Sequence, residues 1–83
     1  MTTYQIENGK QLKTKNSRRV WHCRTGIDPY LCEYLHMTRR GAYWVEHLYT
    51  TEGNWAEMVS QKRAAIWLTE NGYVSEAKEL EEK

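Results

Sequence analysis

At 83 residues, with 40% hydrophobic and 28% charged side chains, the chain has room for one domain and one modest core. A formal net charge of +1 demands no polyanionic partner, and no apolar run approaches the ~20 residues that span a bilayer. The N-terminal stretch Met1–Lys10 has no apolar signal-type segment, so a cytoplasmic protein is expected and its two cysteines read as free thiols.

Taken in order, Asn8-Gly9 is a strong two-residue hairpin signal, but its polar flanks make residues 1–18 either a weak hairpin or a mobile basic arm. Residues 13–19 read as a polar, basic connector. Arg19–Arg24, β-branched and aromatic, predicts a strand, and Gly26-Ile27-Asp28-Pro29 a turn. Leu31–Thr38 is the next strand, Arg39-Arg40-Gly41 a tight turn, and Ala42–Thr50 the strand that follows. Glu52-Gly53-Asn54 then turns into a short last strand, Trp55–Val59. Asn54 with Glu57 also has capping-box spacing, but Ser60 is the better N-cap because a helical stripe begins only after it. On that helix Ala64, Trp67, Leu68 and Asn71 share a face, Ala65 lies at its margin and Ile66 opposite. Asn71-Gly72 stops it, and Ser75–Lys83 forms a second short helix prone to fraying.

The predicted fold class is therefore α+β: an antiparallel meander of three to four strands packed by a C-terminal helix. Residues 19–74 form the single domain and 75–83 an acidic helical tail. The motifs Thr38-x-x-Gly41-x-Tyr43-Trp44 and Ala64-x-x-Trp67-Leu68-x-x-Asn71-Gly72-Tyr73 resemble those of a family of small uncharacterised bacterial proteins. That resemblance implies a basic N-terminal segment, a β-meander and a capping helix, and no activity.

Pairing Cys23 with Cys32 and Tyr34 with Val45 sorts the strands into two faces. Trp21, Cys23, Cys32, Tyr34, His36, Tyr43, Val45, His47 and Tyr49 share one. Val20, His22, Arg24, Leu31, Glu33, Leu35, Trp44, Glu46 and Leu48 share the other. His22, Glu33 and Glu46 sit badly in a core, so the first face is assigned to the helix. Leu31, Leu35, Trp44 and Leu48 then make an outer apolar patch, open to a protein partner or to self-association.

His22, Cys23, Cys32 and His36 are the one metal-like set, but strand neighbours point to opposite faces and Cys-x8-Cys is no zinc knuckle. No metal, cofactor or Cys23–Cys32 disulfide is expected, and neither cysteine shows a catalytic signature with His36 or His47. The charge is uneven. Residues 1–50 hold eight Lys/Arg against four Asp/Glu, and residues 51–83 four against seven. Four Trp and six Tyr without Phe are rich in the residue types that dominate binding hot spots. The leading expectation is a non-enzymatic protein-interaction module, a small regulator or inhibitor of bacterial, phage or mobile-element origin. The alternative is nucleic-acid binding through Lys13, Lys15, Arg18, Arg19, Arg24, Arg39 and Arg40, with Trp21, Tyr43 or Trp44 stacking on bases.

Overall fold

Strands form where β-branched and aromatic residues cluster, and glycines at positive φ reverse the chain between them. The computed structural model describes residues 3–6, 11–24, 31–49 and 53–82. Its strands are β1 (Thr3–Gln5), β2 (Gln11–Lys13), β3 (Ser17–His22), β4 (Leu31–Thr38), β5 (Tyr43–Tyr49) and β6 (Gly53–Val59). The helices are α1 (Gln61–Glu70) and α2 (Val74–Glu81), and a 3₁₀ turn at Thr14–Asn16 joins β2 to β3. Strands β3-β4-β5-β6 make a four-stranded antiparallel meander, and β1-β2 a separate two-stranded sheet. The fold is α+β, as expected. The turns at Asn8-Gly9 and at Gly26–Pro29 lie outside the described residues. No helix among the described residues is long and apolar enough to cross a membrane.

Helix α1 begins and ends as its residues dictate. Ser60 Oγ accepts from the Arg63 amide at 3.1 Å. At the other end Gly72 takes φ +85°, and the Tyr73 amide donates to the Leu68 carbonyl at 2.8 Å. Ala64, Ala65 and Leu68 bury against the sheet, while Ile66 stays exposed. Helix α2 is more firmly docked than its composition suggests, because Ala77 and Leu80 enter the same cluster.

The register differs from expectation by one residue in one strand. Leu35, not Tyr34, pairs with both Trp21 and Val45, and Cys32 pairs with Leu48 rather than His47. The cause is the β4–β5 turn. The Thr38 amide bonds the Ala42 carbonyl at 2.8 Å, enclosing a three-residue loop whose last residue, Gly41, sits at φ +86°. A two-residue Arg39-Arg40 loop would have given the expected pairing. The extra residue turns β4 over, so Glu33, Leu35 and Met37 face the helices and Cys32, Tyr34 and His36 face away. Strands β3 and β5 keep their expected faces, with Trp21, Tyr43 and Val45 in the helix-side core.

The other face is covered as well. Tyr4 of β1 and Leu12 of β2 pack on Trp44, with Ile6 and Ala56 at the margin. The N-terminal segment is thus a hairpin that roofs the sheet, giving three layers: hairpin, sheet, helices. Leu35 is 0% exposed and Trp44 1%, and they belong to separate clusters on opposite faces. The expected outer patch of Leu31, Leu35, Trp44 and Leu48 is therefore corrected. Two of its members are core, Leu48 is half-buried, and the side chain of Leu31 lies outside the described set.

Candidate functional site

Four side chains link the roof to the sheet. A bulge between Ser17 and Arg19 turns Ser17 onto the face of His36. Ser17 Oγ lies 2.6 Å from His36 Nδ1, and His36 Nε2 lies 2.9 Å from Glu46 Oε1. Tyr4 Oη donates to Glu46 Oε2 at 2.5 Å. One assignment satisfies every atom: Ser17 donates to a neutral imidazole, which donates from Nε2 to the carboxylate. Burial holds the His36 imidazole below its ordinary value, with the Glu46 carboxylate opposing it. Burial first, then Glu46, pushes the Tyr4 phenol well up.

Serine, histidine and carboxylate in series have the chemistry of a nucleophile and its base. Here the imidazole is 3% exposed and stacked flat on Trp44 at 3.9 Å, under the hairpin. A weakened base beneath a closed cover is a structural tie. It has a pH signature. Unfolding frees His36 to bind a proton that the folded chain resists. Stability is therefore fully present above the ordinary imidazole value of ~6.5 and falls as pH drops through the lower folded one. The unfolding free energy measured by denaturation between about pH 7.5 and about pH 5 should fall by up to about 1.4 kcal/mol per pH unit from this group. His36→Gln should remove that part of the slope, and an unchanged slope would refute the assignment.

The turned-over β4 puts Glu33 on the helix side, where partners meet it. Trp67 Nε1 donates to Glu33 Oε1 at 2.9 Å, and His47 lies between Glu33 (3.5 Å) and Glu57 (3.0 Å). Arg63 pairs with Glu57 at 3.1 Å, and His47 stacks on Trp55 at 3.9 Å. Glu33, His47, Glu57, Arg63 and Trp67 line a cleft of about 290 Å³ between the sheet and α1. No sequence signal marked these pairings, because each depends on register.

The cations converge. Lys13 ends β2, Lys15 lies in the 3₁₀ turn, and Ser17 pairs with Thr38 just before Arg39-Arg40, which brings Arg18 beside that turn. Lys13, Asn16, Arg39 and Arg40 rim a groove of about 530 Å³ floored by Leu12, Ala42 and Met58, and no carboxylate among the described residues lines it. Arg18 and Arg19 line a neighbouring cleft of about 380 Å³ that also holds Glu76 and Glu79. Among the described residues, none of Lys13, Lys15, Arg18, Arg19, Arg39 and Arg40 forms an ion pair within 4.0 Å. Arg24 does not join them. It lies over the Tyr73 ring at 4.1 Å, and its amide donates to Asn71 Oδ1 at 3.1 Å. The expected stacking platform is corrected too, since Trp21, Tyr43 and Trp44 are all buried.

Comparison with known proteins gave no match to a family model, a curated protein or a solved structure.

Proposed function

We propose that the chain is a non-enzymatic domain that binds nucleic acid through the groove rimmed by Lys13, Arg39 and Arg40. The observation that carries this is a concave surface bearing three cations and, among the described residues, no carboxylate, assembled from segments far apart in sequence. Lys15 and Arg18 stand nearby to extend the track. With the candidate aromatics buried, contact falls on phosphates, and the binding is salt-sensitive and tolerant of base sequence. Fluorescence anisotropy with labelled single-stranded and duplex oligonucleotides tests it. Three neutralised phosphates give a log–log salt slope of roughly −3 on duplex and roughly −2 on a single strand. No anisotropy change at low salt would refute it.

A protein partner is the second reading, and its support has moved. Strand β6 is an edge of the sheet, with Trp55 44% exposed and Met58 also exposed. An extended segment of another chain added along β6 would meet both side chains. Such binding would be weakened by Trp55→Ala and indifferent to Arg39 and Arg40.

A further inference from the structure

The end of β3 carries a feature independent of the groove. Strand β3 stops at His22, so the alternation that would send Cys23 away from His22 no longer applies. His22 Nε2, Cys23 Sγ and Cys32 Sγ lie within 4.8 Å of one another, and His22 Nε2 is 3.7 Å from Cys32 Sγ. Tetrahedral zinc, with bonds of ~2.3 Å to sulfur and ~2.0 Å to nitrogen, implies ligand–ligand edges of about 3.5–3.8 Å. The His22–Cys32 separation matches such an edge. No separation among the three exceeds such an edge by more than about 1 Å, within the reach of a side-chain torsion.

The surrounding contacts hold this geometry in place. The Cys23 amide donates to the Glu33 carbonyl at 3.0 Å, and the Glu33 amide to Cys23 Sγ at 3.4 Å. Tyr73 Oη donates to the His22 carbonyl at 2.7 Å, and Asn71 Oδ1 takes the Arg24 amide. The backbone on either side of Cys23 is thereby pinned to the α1–α2 junction. The His22 ring meets Tyr34 edge-on at 4.9 Å, which orients it. His22 is exposed, while both cysteines are free and half-buried.

We infer that His22, Cys23 and Cys32 form a site for a thiophilic divalent cation of the zinc class, with one coordination position not filled by any described residue. Two thiolates and one imidazole suit Zn²⁺, whereas Mg²⁺ and Ca²⁺ require oxygen ligands. The thiol protons leave on binding, so the folded chain gains stability from the metal.

Co²⁺ titration of the full chain, with thiols reduced beforehand, tests this directly. Expected are thiolate-to-cobalt charge-transfer absorption and tetrahedral d–d bands saturating at equimolar metal, then displaced by Zn²⁺. Cys32→Ser should abolish the charge-transfer band or cut it by about half as one of two thiolates is lost, and His22→Ala should weaken binding roughly tenfold or more. Because His22 is exposed, far-UV circular dichroism should show the His22→Ala fold intact. No charge-transfer band in the reduced chain, or bands unchanged in Cys32→Ser, would overturn the site.

Discussion

Trp44→Ala is expected to lower the unfolding free energy by about 3–5 kcal/mol, against the ~5–15 kcal/mol that holds a small domain together. The indole is the floor on which the hairpin rests. Tyr4 lies 6.1 Å away centroid to centroid, and His36 stacks on it with ring planes 9° apart. Truncation removes the ring and leaves a cavity beneath β1 and β2, so the hairpin loses its seat as the sheet loses burial. Urea unfolding of the variant measures the cost. A loss within about 0.5 kcal/mol, the effect of a surface change, would mean that Trp44 faces solvent and the hairpin does not cover it.

Leu35→Ala is expected to cost about 2–5 kcal/mol, and more than Tyr34→Ala. Leu35 is 0% exposed in the cluster of Trp21, Val45, Ala64 and Leu68, whereas Tyr34 is half-buried on the other face beside His22. The comparison reads the orientation of β4, since a one-residue shift exchanges the two side chains. A larger loss from Tyr34→Ala would restore the pairing expected from a two-residue turn.

Local chemistry made much of this fold legible. Ser60 as N-cap, Gly72 as helix stop, Gly41 as turn residue and Trp55–Val59 as strand each follow from what one residue type does to the backbone. Helix α1 buries Ala64 and Leu68 and exposes Ile66, as its periodicity requires. What failed was β4, because loop length decided it. Whether Gly41 closes a two- or three-residue loop is a single-residue question, yet the answer moves Leu35, Glu33 and His36 to opposite faces.

Burial was misjudged for a related reason. Glu33 and Glu46 read as outward-facing because an unpaired buried carboxylate is costly. Their partners Trp67 and Tyr4 lie far away in sequence, and no local pattern announces the pairings. The same holds for the groove. The basic residues were visible one by one, but their meeting depends on the Ser17–Thr38 pairing and the seat of β2. Arg24 shows the converse, a cation that adjoins the series in sequence and lies over Tyr73 in space.

The most direct test of the groove compares two double variants in one binding experiment. Arg39→Ala with Arg40→Ala removes rim cations, while Lys62→Ala with Lys78→Ala removes equal charge from exposed helical positions. Anisotropy against a labelled duplex across a salt series should show the arginine variant weakened roughly tenfold or more at low salt. Its slope should be shallower by about 2, with the lysine variant close to the parent chain. Equal losses from the two variants, or no binding by the parent chain at low salt, would contradict the account.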